Sequence, residues 1–219
     1  MAASPAHAGQ PLVTDDAAIV AAKTCQFEAW THAMHGSREY WAQPACNFTG
    51  NVEFAVGGAR VRPDAGESSS LVLLQAKTVL FATTNGEWSF GAVAGGVRDT
   101  GAPHGGSAFQ AYYGTTLASW YPRRDLEIDL NLGASNVFGS GTFALAGAAI
   151  QYVVIERLQL LAEIFHDEPG CGKYQVGIRA IVIPGTLEAY ASYGNGLKGS
   201  SDQWSATLGI RLQTPAFLP

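Results

Sequence analysis

Apolar residues alternate with polar or small ones at every second position through most of this chain. In the last such stretch Trp204, Ala206, Leu208, Ile210 and Leu212 share one face, and Gln203, Ser205, Thr207, Gly209 and Arg211 share the other. Leu126, Ile128, Leu130 and Leu132 oppose Glu127, Asp129 and Asn131 in the same way. So do Tyr174, Val176, Ile178, Ala180 and Val182 against Gln175, Gly177 and Arg179. A helix would scatter these sets around its circumference, whereas a strand gathers each on one side. The pattern predicts twelve strands, at 24–34, 37–48, 52–61, 70–81, 88–98, 108–120, 126–135, 142–154, 158–166, 174–183, 187–193 and 203–212. Most have the length a tilted strand needs to cross a bilayer. The predicted fold class is therefore all-β: a closed antiparallel up-and-down transmembrane barrel.

The connections divide into two sets. If the first strand runs outward, the periplasmic turns are Thr49–Asn51, Ala82–Glu87, Tyr121–Asp125, Ile155–Arg157 and Pro184-Gly185. The external loops are then His35-Gly36, Arg62–Ser69, Asp99–Ser107, Asn136–Gly141, Asp167–Lys173 and Gly194–Asp202. Apart from the first, the second set is longer and richer in Gly, Asp and Ser, the asymmetry expected of an outer-membrane barrel. An even strand number puts both termini on one side, the periplasm of a Gram-negative bacterium. The domain reading is residues 1–23 as an N-terminal periplasmic segment and 24–219 as the barrel. Ala6-His7-Ala8 has the small-x-small form of a signal-peptidase site without the usual basic and apolar stretch before it. A signal-peptide remnant to about residue 8 and a chance match in an Ala-rich start both remain open.

Composition supports this picture. Only 14% of the 219 residues are charged, sparse for a soluble surface. Mean hydropathy is nevertheless barely positive, at +0.07. A barrel reconciles the two because each strand shows lipid only its alternate residues. The uncharged stretch Leu130–Ile155 is broken by Asn131, Gly133, Asn136 and Gly139-Ser140-Gly141, so it does not form a spanning helix. A net charge of −5 without a basic run argues against nucleic acid as a partner. The rival is a soluble β-sandwich or lipocalin-like barrel, with its apolar face turned inward.

His35-Gly36 has the chemistry of a two-residue turn. Paired residues then sum to 71, which sets Cys25 opposite Cys46 and Trp30 opposite Trp41. Opposed β-carbons lie within about 4.5–5.5 Å, so a disulfide at Cys25 and Cys46 is expected, against the alternative of two buried thiols. Cys171 has no partner left and is expected to be a free thiol.

Thr14-Asp15-Asp16-Ala17, followed by Cys25-Gln26-Phe27-Glu28-Ala29-Trp30, opens a series of short motifs. Gln75-Ala76-Lys77, Glu156-Arg157, Ala162-Glu163, Tyr174–Arg179 and Gly209–Leu212 continue it. In order and spacing the series resembles the MetA-type (phenol-degradation pathway) outer-membrane barrel family and related proteobacterial barrels. That resemblance implies an outer-membrane barrel with a role in transport, and it supplies no catalytic motif. The chain departs from many outer-membrane proteins in ending Pro215-Ala216-Phe217-Leu218-Pro219 rather than on an aromatic residue.

With the apolar faces toward lipid, the other faces line the lumen. The expected lining residues are Gln26, Glu28, Glu53, Gln75, Lys77, Glu127, Asp129, Asn131, Glu163, Gln175, Arg179, Glu188 and Arg211. Their charged members are six acids and three bases. Two readings fit: an ionic network filling a narrow barrel, or a polar path mildly selective for cations, with Gly57, Gly177 and Gly209 leaving room for it. His32, His35, His104 and His166 lie near the external rim with Asp99, Asp167 and Glu168, but without metal-ligand spacing. Tyr40, Trp41, Trp88, Trp120, Tyr121, Tyr193 and Trp204 are expected in interfacial girdles. The expected function is a passive channel or carrier for small molecules, apolar or aromatic ones included, with outer-membrane lipid as its surroundings. No cofactor, metal or catalytic residue is assigned. A closed scaffold barrel binding partners through its loops and, less favoured, an outer-membrane enzyme are the alternatives.

Overall fold

Twelve strands pair antiparallel with their chain neighbours, and the first also pairs with the last, closing a barrel. In the computed structural model they are β1 (Thr24–Met34), β2 (Ser37–Asn47), β3 (Val52–Pro63), β4 (Ser69–Ala82), β5 (Trp88–Asp99) and β6 (Ala111–Arg123). They continue as β7 (Leu126–Val137), β8 (Gly141–Ile155), β9 (Leu158–His166), β10 (Lys173–Ile183), β11 (Leu187–Gly196) and β12 (Ser205–Gln213). Every boundary falls within three residues of the position the alternation predicts. The structure describes residues 11–100, 108–167, 172–198 and 203–218. Ala6-His7-Ala8, His104, Glu168 and Cys171 fall outside the described residues.

Burial alternates along the strands as the sequence does. Leu132 and Leu208 on the outer face are 68% and 67% exposed, and Phe54, Val56, Ile164 and Val176 stand out beside them. An apolar belt of this extent is unfavourable in water and suits a hydrocarbon surrounding. The inner face carries the buried polar residues, Asp129 and Ser119 among them. Such a wall inverts the soluble barrel, whose apolar face is buried.

The two ends differ. Register shifts fall between Val79 and Phe81, Trp120 and Arg123, Val153 and Ile155, and Ile181 and Ile183. All four lie where β4, β6, β8 and β10 run into the short turns, the rim position at which bulges are common. Outside this rim Trp88 stacks on Trp120 at 5.4 Å and on Phe90 at 5.9 Å, and Phe81 lies 6.0 Å from Phe90. Trp41 departs from the girdle expectation. It stands on the inner face and stacks on Trp30 at 5.3 Å, and its ring N–H donates to Glu39.

The β1–β2 hairpin has the register that the His35-Gly36 turn dictates, with Gly36 at φ +77°. Cys25 and Cys46 are opposed at a Cα separation of 4.1 Å and joined by a disulfide. A labelling reagent should find one thiol per denatured, unreduced chain and three after reduction. Replacing both cysteines by serine should lower stability by roughly 2–4 kcal/mol, read as a lower temperature for the loss of fast gel mobility. An unchanged transition would show that the staple does not support the barrel.

Candidate functional site

The barrel's interior is occupied by its own chain. The sequence reading sets residues 1–23 apart as a periplasmic segment; in the structure residues 11–20 lie inside the barrel. Pro11, Leu12, Thr14, Asp16, Ala17 and Val20 are buried there, Asp16 completely. The segment descends from the end bearing the longer loops, where Pro11 meets β10, to the turn end, where Val20 meets the first residues of β3. The chain then reverses through Ala21–Thr24, with Lys23 in the left-handed region at φ 64°, and rises again as β1.

The physical reason lies in the backbone. A closed barrel uses its own N–H and C=O groups in the ladder, so a segment threaded down its middle finds only side chains. Buried backbone groups need partners nonetheless. Glu163 accepts from two successive amides, Val13 N–H at 2.8 Å and Thr14 N–H at 2.7 Å. The Gln175 side-chain amide donates to the Pro11 carbonyl and, at 2.6 Å, to Glu163. With its amide oriented to satisfy both groups, Asn131 accepts from Asp15 N–H at 2.6 Å and donates to Asp15 C=O at 2.8 Å. Ser119 Oγ accepts from Ala17 N–H at 2.8 Å, and Ser89 Oγ donates to Ala17 C=O at 2.6 Å. Lower down, Glu53 accepts from Val20 N–H and Asn47 donates to Val20 C=O, both at 2.8 Å.

Side chains add a latch and two apolar contacts. Lys77 Nζ lies 2.7 Å from both Asp15 Oδ1 and Asp16 Oδ1. Leu12 packs with Ala149 and Leu161, and Ala17 packs with Val93 and Leu117. Gly147 permits the close approach of β8, since a Cβ there would meet the Thr14 hydroxyl. A pocket of about 70 Å³ remains near the loop end, lined in part by Val13, Thr14, Asn131 and Phe165.

A second network occupies another part of the wall. Arg211 stands opposite Glu28 in one ladder and Glu188 in the next, and its Nη2 lies 2.5 Å from Glu188 Oε2. Arg179 lies 3.7 Å from Glu188 and donates to Gln151 at 3.1 Å and to Gln159 at 3.3 Å. Gln151 and Ser119 both donate to Asp129, so a relay runs from Arg179 to the Ala17 amide.

Of the thirteen expected lining residues, Glu53, Lys77, Asn131, Glu163 and Gln175 thus touch the segment, and Asp129 reaches it through Ser119. Glu28, Arg179, Glu188 and Arg211 form the second network. Glu127 is buried two residues from Asp129, Gln75 accepts from the Tyr113 hydroxyl at 2.6 Å, and Gln26 is half-buried on β1. The space beside Gly209 is taken by Trp30 and Tyr190, and that beside Gly57 by Gln43 and Leu73. Near the rim, His32 Nδ1 is 2.8 Å from the Thr207 hydroxyl. Among the described residues no group of three or more His, Cys, Asp and Glu side chains is placed to hold a metal ion.

Sequence reasoning missed Asp15, Asp16, Ser89, Ser119 and Asn47. The one available signal was Thr14-Asp15-Asp16-Ala17, a polar and acidic run with no strand of its own.

A polar-walled, lipid-faced closed barrel of this kind is the fold of Gram-negative outer-membrane proteins, and known structures agree. The chain is similar to the KdgM porin solved in complex with disordered oligogalacturonate, at 12% identity and a TM-score of 0.64, covering 85% of this chain and 98% of that one. It is also similar to the COG4313 outer membrane channel from Pseudomonas putida F1, at 11% identity and a TM-score of 0.63, covering 90% and 97%. Outer membrane phospholipase A from Escherichia coli aligns at 11% identity and a TM-score of 0.52, covering 88% and 97%. The fold alone therefore does not separate channels from an enzyme. Over residues 1–214 the chain matches the model of one family, and it belongs to the uncharacterised conserved protein family UCP029691. No curated protein matches it. These matches support an outer-membrane barrel and do not confirm the MetA-type label.

If Lys77 is the latch, Lys77→Met leaves one buried carboxylate, Asp16, and one half-buried, Asp15, without their cation, a loss of roughly 3–5 kcal/mol for a buried pair. The amides of Val13, Thr14, Ala17 and Val20 should then exchange with deuterated solvent at least about a hundredfold faster, while the strand amides keep their protection. Gly147→Val should act in the same direction by displacing Thr14. Unchanged protection in both variants would contradict this account of the segment.

Proposed function

We propose that this protein is an outer-membrane channel for small hydrophilic solutes, closed at rest by its own residues 11–20. The carrying observation is that segment itself, threaded through the length of a polar lumen and held by wall side chains. A segment bound through hydrogen bonds and ion pairs, with no strand pairing to the wall among the described residues and covalently joined to it only by the chain's turn into β1, is a removable occupant. Its junction with β1 at the short-turn end lies beside Phe217 and Leu218, which fits a periplasmic C-terminus, while Pro11 stands at the opposite end, among the longer loops.

The wall also bears on what would pass. Six acids against three bases favour cations and neutral solutes over anions. That sets the protein apart from a porin whose bound ligand is oligogalacturonate, a polyanion. Polar lining residues likewise favour hydrophilic solutes over the apolar or aromatic ones that the sequence reading also admits. The second reading, a closed scaffold barrel, draws on the same filled interior and on the Arg179–Glu188–Arg211 network.

Planar-bilayer recording decides between them. Wild-type protein should conduct rarely, and Asp15→Asn with Asp16→Asn should raise the open probability at least about tenfold, the effect of some 1.4 kcal/mol lost from the latch. Reversal potentials in a KCl gradient should favour potassium. Silence from both proteins would remove the channel and leave the scaffold.

A further inference from the structure

The contacts that hold residues 11–20 have an unusual distribution. Nine main-chain atoms are bonded by wall side chains: the carbonyl of Pro11, the amides of Val13 and Thr14, and both groups of Asp15, Ala17 and Val20. Only Asp15 and Asp16 are read through charged side chains. Asn131 meets the N–H and C=O of one residue, as a neighbouring strand would. Glu163 spans two consecutive amides. These groups come from seven different strands, β2, β3, β5, β6, β7, β9 and β10, and succeed one another from the loop end to the turn end.

Main-chain amides and carbonyls are common to every peptide and recur at every residue. A sugar or an aromatic solute offers no such series. We infer that the lumen is a binding site for an oligopeptide of about ten residues, bent as residues 11–20 are at Val13, Thr14 and Ala17, preferentially one with an acidic pair near its middle, and that the protein's own segment occupies that site as a built-in ligand. The inference rests on the reading of residues 11–20 as a removable occupant. Recognition of this kind tolerates different side chains at most positions, as main-chain pairing does in peptides that add to a sheet edge. Asp15 and Asp16 set the register through Lys77, and the pockets that take Leu12 and Ala17 accept apolar or small side chains.

The attached segment competes at an effective concentration of the order of millimolar, so an added peptide is best tested where that segment is loosened. The full chain carrying Asp15→Asn and Asp16→Asn keeps every wall residue. The probe is a fluorescein-labelled peptide of sequence PLVTDDAAIV, followed by anisotropy with protein in detergent micelles. Saturable binding is expected, and alanine at the non-acidic positions should weaken it by no more than about tenfold. Methylation of the four amide nitrogens that match Val13, Thr14, Ala17 and Val20 should weaken it at least about a hundredfold, because each lost bond to a charged or buried acceptor is costly. Adding Glu163→Ala to the protein should lower affinity for the unmethylated peptide. If the double variant loses its fast gel mobility, Asp16→Ala alone serves in its place.

Absence of saturable binding up to millimolar peptide would overturn the inference, as would equal binding of the methylated peptide. A variant that conducts without binding peptide removes this inference and spares the channel. One that binds peptide without conducting removes the channel and spares the binding site.

Discussion

A closed sheet has no backbone hydrogen bonds left to give, and that constraint governs everything inside this barrel. Whatever fills the lumen must be satisfied by side chains alone. The wall meets the demand with carboxylates and side-chain amides: Glu163, Glu53, Asn131, Gln175 and Asn47. This changes the meaning of the acid-rich interior. Two of its carboxylates, Glu53 and Glu163, serve as acceptors for amides of the chain's own N-terminal segment, which a ring of fixed charge along an open pore would not do.

The charges also divide by what they are attached to. Lys77 pairs with residues on the N-terminal segment. Arg179, Arg211, Glu188 and Glu28 belong entirely to the wall and connect β1, β10, β11 and β12. Withdrawal of the segment therefore unpairs the first group and leaves the second in place across the seam where the sheet closes. Buried ion pairs are weak evidence for stability in general. Here their placement nonetheless separates the charges that hold the N-terminal segment from those that hold the wall together.

The strands were legible because a two-residue period is local and repeats, and each repetition narrows the register of the next. The Cys25–Cys46 bridge was legible for the same reason, since a two-residue turn fixes every pair in its hairpin. The occupied lumen was not. Glu163 and Val13 are 150 positions apart, and the segment has no period because its partners come from different strands at irregular heights. Trp41 was misplaced because proximity to a strand end suggested an interface, whereas its parity with Gln43 sets it inward. Gly209 looked like open space because a missing side chain does not reveal which neighbouring ring fills the gap.

Lys23 is fixed from several directions. Its amide bonds to Asn47 of β2, and its carbonyl receives the amides of Phe217 and Leu218 from the chain's other end. Two residues on, Cys25 is covalently tied to β2. The N-terminal segment therefore hangs from a clamped pivot and does not extend freely from β1. Force on the segment is borne by that clamp before it reaches the β1–β12 seam. Any displacement of the inner arm would turn about that one point, and the hoop around it shares none of the arm's main-chain bonds.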